Sequence, residues 1–233
     1  MMKLAIESQI HEMEGKLSGY VTLLVYRYAN LCVKAQPLSL LSAIIEDEEQ
    51  GELKLEETAG VLVPDEYHLK LVPYNPRFNF PLCKAIMKEH PEFKQELVKP
   101  ENTQNEDDRY LILTMPEVNK DRHDALTDAV GVLYDGCKAQ IDKTVASYRM
   151  KLESEIVALP TDDEREEVQN ALDSSAKSHQ SIIDTVKADK LKEIDEAYQR
   201  YLDGLSAKKT EADEEAAARG ETAGQEYRMD NHE

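Results

Sequence analysis

Apolar residues recur every three or four positions from the start of the chain: Ile6, Ile10, Met13, Leu17, Val21, Leu24, Tyr28 and Leu31. That spacing places them on one stripe and predicts a helix over roughly residues 3–32. Pro37 forbids continuation, because it has no N–H to donate and biases Gln36 away from the α region. From Leu38 to Thr114 the period changes. "LSAIIE", "ETAGVLV", "EYHLKLV" and "RYLILT" are short runs rich in Val, Ile, Leu and Tyr, separated by Gly, Pro, Asn and Asp. One helix falls among them: "FPLCKAIMKEH" has Pro81 in its first turn, Leu82, Ala85 and Ile86 on one side, and Pro91 as its stop. The polar "KPENTQNEDD" reads as a surface loop. Together these predict a compact βαβ-type insert.

The helical period then resumes. Asn119 is placed to cap a helix whose stripe runs Leu126, Val130, Leu133, Cys137, Ile141, Val145, Tyr148, Leu152, Ile156 and Leu159. Pro160 breaks it, and Thr161, followed by acids that suit the positive end of a helix dipole, starts the next. That third stripe is Val168, Leu172, Ala176, His179, Ile183, Val186, Ile194, Ala197, Tyr201 and Leu205, with a weak spot at Lys190. No one of these helices buries its stripe alone. The expected fold is therefore α+β: an elongated three-helix bundle (1–33 and 116–205) with a small β/α domain (34–115) inserted after the first helix. Residues 206–233 are polar and aperiodic, and are expected to form a disordered acidic tail. The chain crosses between the two bodies twice, through Val33, Lys34, Ala35, Gln36 and Pro37 and through Thr114, Met115, Pro116 and Glu117. Two such crossings are candidates for a hinge, which their prolines would limit to a few bonds.

Composition narrows the function. With 32% charged residues, no Trp and three Phe, the chain suits thin helical layers. A net charge of −19 argues against tight unassisted binding to a polyanion, though it leaves room for a local basic stripe. Cys32, Cys83 and Cys137 are far apart and without CxxC spacing, so free thiols in a reducing compartment are expected and a zinc site is not. "MMKLAIESQI" is interrupted by Glu7 and His11, unlike a signal peptide, and lacks the Arg- and Ser-rich character of a transit peptide. No run approaches the eighteen or so apolar residues of a membrane-spanning helix. His11, His68, His90, His123, His179 and His232 are scattered, and His179 falls in an apolar stripe as a packed residue would. No Gly-rich phosphate loop, GxSxG or HExxH is present, so neither catalysis nor a metal or other cofactor is expected.

The order of these segments resembles the ribosome recycling factor family over residues 5–205. "KAQPLSLL" resembles that family's "RASPSLL", and "AGVLVPDEYHLKLVPYNPRFNFPLCKAIM" resembles its strand–turn–strand followed by a helix ending "KAI". "MPEVNKDRHDAL" resembles its "PPLTEERRKDL", which aligns Arg122 with a family arginine, and "LPTDDEREEVQ" resembles its inter-helix turn. The resemblance implies a monomeric, non-catalytic translation protein. Such a protein lays its rod on the ribosomal RNA of the large ribosomal subunit. Its small domain swings against the rod in concert with an elongation-factor-G-like translocation GTPase, so that post-termination ribosomes are split. It also implies a mitochondrial matrix or other organelle location for a nuclear-encoded chain, with a bacterial-type cytoplasm as the alternative.

The departures from the family are concentrated in its basic residues. Where the family has an arginine and a glycine two positions apart and then another basic residue, this chain has Leu31, Val33 and Lys34. Where it has "RN-x-RRD", the chain reads Asp142, Lys143, Thr144, Val145, Ala146 and Ser147. Each lost charge-assisted phosphate contact is worth about 1–3 kcal/mol. The surviving RNA-facing candidates are Lys34, Arg122, Lys138, Lys143, Arg149 and Lys151. The alternative is that they only balance Asp124, Asp128, Asp135 and Asp142, in a paralogue that kept the fold and binds a basic protein instead. A continuous positive strip along the middle helix would favour RNA, and an acidic face the paralogue.

Overall fold

The computed structural model describes residues 2–101 and 108–226; residues 102–107 of the polar "KPENTQNEDD" segment lie outside this range. Three long helices, α1 (Met2–Ala29), α4 (Lys120–Val157) and α5 (Asp162–Glu226), pack together along their apolar stripes. Ile6, Met13, Leu17, Leu24 and Tyr28 of α1 meet Val130, Ile141, Tyr148 and Leu152 of α4 and Leu172, Ile183 and Ile194 of α5. The Tyr28 hydroxyl is buried in this seam and donates to the Val130 carbonyl at 3.0 Å. As the sequence indicates, Asn119 caps α4, its Oδ1 accepting from the Arg122 N–H at 2.9 Å. Thr161 Oγ1 accepts from the Glu164 N–H at 3.3 Å to start α5.

Three features depart from expectation. First, α1 ends at Ala29 rather than at 32. Its last turn tightens, with the Leu31 and Cys32 amides bonding the Tyr28 and Ala29 carbonyls, and Cys32 adopts a left-handed φ of 51°. A non-glycine residue in that region is held there by its surroundings. Second, Lys190 does not interrupt the third stripe. It is 5% exposed, and its ammonium bonds Glu193 Oε1 at 2.9 Å, so its stem fills the apolar place while its charge is paired. Third, α5 continues to Glu226, where the sequence suggested a disordered tail from 206. The segment is rich in Ala, Glu and Lys, all strong helix formers. Its described side chains at 206–212, 214 and 215 are exposed, and residues 227–233 lie outside the described range.

The inserted domain holds a hairpin, β1 (Ile44–Asp47) with β2 (Gly51–Lys54), then a short helix α2 (Leu55–Thr58). A sheet in the order β3-β4-β6-β5 follows, built from β3 (Ala59–Asp65), β4 (His68–Pro73), β5 (Lys94–Val98) and β6 (Tyr110–Thr114). Every neighbouring pair is antiparallel. The expected βαβ unit is thus present in split form: β4 and β5 run parallel, joined by α3 (Asn79–Glu89), but β6 lies between them. Leu82, Ala85 and Ile86 of α3 close a second core with Leu69, Leu71, Leu111 and Leu113 of the sheet. Pro64 sits in β3, an edge strand, where a missing N–H costs no ladder bond.

Candidate functional site

The two cores meet at the crossings, and residues there alternate between them. Cys32, Ala35 and Met115 belong to the core of the small domain, whereas Val33 and Val118 belong to the core of the bundle. Both crossings are pinned to one turn. The Ala35 N–H donates to the Glu66 carbonyl and the Met115 N–H to the Tyr67 carbonyl, each at 2.8 Å. That two-residue turn between β3 and β4 is shaped by Asp65, whose Oδ1 accepts from the Tyr67 N–H at 2.8 Å and contacts His68 Nδ1 at 2.8 Å. Thr114 is the last paired residue of β6, opposite His68 and Lys94, and so moves with the sheet. Pro116 and Glu117 are left as the stretch of the second crossing between the sheet and the bundle core. On the first crossing Gln36 is extended and Pro37 opens a 3-10 turn over Pro37–Leu40.

Charged side chains tie the bodies across this junction. Lys34 Nζ lies 3.5 Å from Glu66 on the small domain and 3.5 Å from Glu196 on α5. Arg200 of α5 reaches the same Glu66 at 3.6 Å and lays its guanidinium over the Tyr67 ring at 3.9 Å. Beside them a cavity of ≈320 Å³ opens between the crossings and α5, lined by Val33, Met115, Pro116, Ala197 and Tyr201. Arg122 points inward: one guanidinium nitrogen donates to the carbonyls of Leu31 and Cys32, each at 3.3 Å, and its Nε is buried without a partner. Burial pulls its pKa below the usual arginine value. Lys34 and Arg122 are therefore junction residues. Glu66, Tyr67, Glu196 and Arg200 join them only through the fold, since nothing in their sequence spacing brings them together.

The other basic candidates lie along α4 and do not converge. At about 100° per residue, Lys138 and Arg149 share one edge, while Lys143 and Lys151 lie about 140° round from it in opposite senses. Arg149 is paired with Asp173 of α5, and Lys151 lies over the Tyr148 ring at 5.2 Å. Asp124, Asp135, Asp142 and Glu153 fall within about 60° of the Lys138 edge, and all four are exposed. Lys120 shares that edge too, so carboxylates and bases alternate along α4 and no continuous positive strip forms. His123, at the start of α4, bonds Asp195 of α5 at 2.9 Å and Asp124 at 3.2 Å, and its pKa is raised by those two carboxylates. His179 is half-buried at the seam of α1 and α5, with Nδ1 2.8 Å from the Ser175 carbonyl and Nε2 3.1 Å from Ser18 Oγ.

A long three-helix rod joined by two short crossings to a small β/α module is the frame that the ribosome recycling factor family model matches, over residues 29–194. The chain belongs to the ribosome recycling factor family. A solution structure of a ribosome recycling factor is similar to it with a TM-score of 0.60, at 15% identity over 81% of this chain and 96% of that one. A second similar structure is the Thermus thermophilus factor from models of that factor and the Escherichia coli elongation factor G bound to the E. coli post-termination complex. Its TM-score is 0.55, at 18% identity over 81% of this chain and 98% of that one. No curated protein sequence matches the chain significantly. The recycling-factor match spans both crossings, the whole insert, α4 and much of α5. The α+β architecture expected from the sequence is that of the matched structures. The family is one of non-enzymatic translation factors.

Proposed function

We propose that this chain acts in ribosome recycling: it binds the large subunit of a post-termination ribosome through its helical rod, and an elongation-factor-G-like GTPase drives the small domain against that rod to part the subunits. The observation that carries this is the recycling-factor frame itself, a rod and a module joined at two crossings that share one turn. Its mechanism is steric and conformational, without a reaction at any side chain, and one copy suffices. It works wherever bacterial-type ribosomes work, in the mitochondrial matrix or another organelle, or in a bacterial-type cytoplasm. Co-sedimentation with bacterial-type ribosomes over a salt series tests it. Binding at low ionic strength that weakens as salt rises is expected; no association even at the lowest salt would sink it.

The net charge of −19 and the carboxylates interleaved with the bases of α4 support a second reading, in which the frame is kept but the rod binds a basic protein. In that case ribosomes are not split, and association persists with ribosomal proteins stripped of RNA.

A further inference from the structure

The geometry points to a divalent metal site, of the kind zinc occupies, formed by Cys32 Sγ, His90 Nδ1 and Glu92 Oε1 where the first crossing enters the small domain. It stands independently of ribosome binding. The three ligand atoms lie within 4.8 Å of one another. Cys32 Sγ is 3.6 Å from His90 Nδ1, and Nδ1 is 3.1 Å from Glu92 Oε1. Ligands on tetrahedral zinc, at Zn–S of about 2.3 Å and Zn–N and Zn–O of about 2.0 Å, would be about 3.5 Å and about 3.3 Å apart. The two spacings about Nδ1 thus match those of a bound ion, and the thiol and carboxylate lie within 4.8 Å of each other.

The imidazole is held as a ligating histidine is held. Its Nε2 lies 2.9 Å from the Ser39 carbonyl, which can only accept, so Nε2 carries a proton and Nδ1 is the nitrogen left to face the thiol and the carboxylate. The Phe93 ring, stacked at 4.6 Å and 7°, fixes its plane. Cys32 and His90 are buried, and the Glu92 side chain is 34% exposed, which leaves a way in for the ion.

A catalytic relay does not account for this arrangement. In a relay the histidine bonds the nucleophile through one nitrogen and the carboxylate through the other. Here thiol and carboxylate both face Nδ1, converging on one point. Cys32 brings its thiol, with the proton, to that same point. A metal ion would displace that proton, and the resulting thiolate and carboxylate match its two positive charges. The competing occupant is a proton on Nδ1, making a simple histidine–glutamate ion pair. Because Cys32 immediately precedes the first crossing and packs in the core of the small domain, bound metal would fasten the start of that crossing to the module.

The test is titration of the full-length protein with Co2+ as a spectroscopic probe, followed by Zn2+ displacement. One equivalent of cobalt should produce a thiolate-to-cobalt charge-transfer band that zinc removes. Cys32→Ser should abolish the band, while Cys83→Ser and Cys137→Ser keep it. Glu92→Gln, at a half-exposed position, should keep a weakened band with affinity lower by about tenfold or more. Circular dichroism checks that each variant is folded. Cobalt binding without a charge-transfer band would be carboxylate binding by an acidic chain, and would overturn the proposal. So would a band that survives Cys32→Ser or is indifferent to Glu92→Gln.

Discussion

Glu66→Gln is the sharpest probe of the junction, because one carboxylate holds two cations from different elements. Lys34 on the first crossing sits 3.5 Å from it and Arg200 on α5 3.6 Å. The Glu66 side chain is 60% exposed, so each pair is worth about 0.2–1 kcal/mol. Losing both costs the observed arrangement about 0.4–2 kcal/mol, which shifts an equilibrium between domain orientations by about 2- to 30-fold. Three contacts survive the change: the Glu66 carbonyl still accepts from Ala35, Lys34 keeps Glu196, and Arg200 keeps the face of Tyr67. The fold should therefore persist while the orientation loosens. Distance distributions between labels on the bundle and on the sheet, measured by pulsed electron resonance or single-molecule fluorescence, read this directly. At low ionic strength the variant should show a broader or shifted distribution than the wild type. Near 1 M salt, where the screening length is about 3 Å, the two should merge. Identical distributions at low salt would refute the idea that these ion pairs set the angle.

Two further outcomes test the bundle. His123 has its pKa raised above 6.5 by Asp195 and Asp124, so its contribution to stability is full below about pH 6.5 and is lost as pH rises through the folded-state value; urea midpoints of wild type and His123→Gln should differ most in mildly acidic solution and converge at alkaline pH, and a gap that widens with pH contradicts the assignment. Lys190→Met alone strands the nearly buried Glu193 carboxylate and should destabilise by about 1–3 kcal/mol, whereas adding Glu193→Gln should restore most of the loss; equal midpoints for the single and double variants would show that the pair is not coupled.

The rods were legible because burial on one side of a long helix stamps a period on the sequence, and Met13, Leu17 and Leu24 are buried where that period puts them. Lys190 looked like a fault because residue type alone does not reveal a stem packed with its charge paired to a neighbour. Two strands carried no signal. β2 is a short, exposed hairpin arm, and β5 is an edge strand whose residues are exposed or half-buried, so neither alternates between apolar and polar. The junction was legible as two breaks at proline, but not in its contents. Glu66, Glu196 and Arg200 meet Lys34 only after β3, β4 and α5 are in place. Likewise Cys32 and His90 are 58 positions apart, and a search for closely spaced ligands passes over them.

Both crossings are fastened to neighbouring carbonyls, those of Glu66 and Tyr67. If the crossings serve as the proposed hinge, a module held by one thread would swivel about it, but one hung on two adjacent pins would behave like a door with a single easy swing. Push along that arc would move the module, and push across it would be delivered to the rod as a lever load. Severing either thread would turn the door into a pendulum, leaving every contact within each body intact while the direction of the stroke is lost.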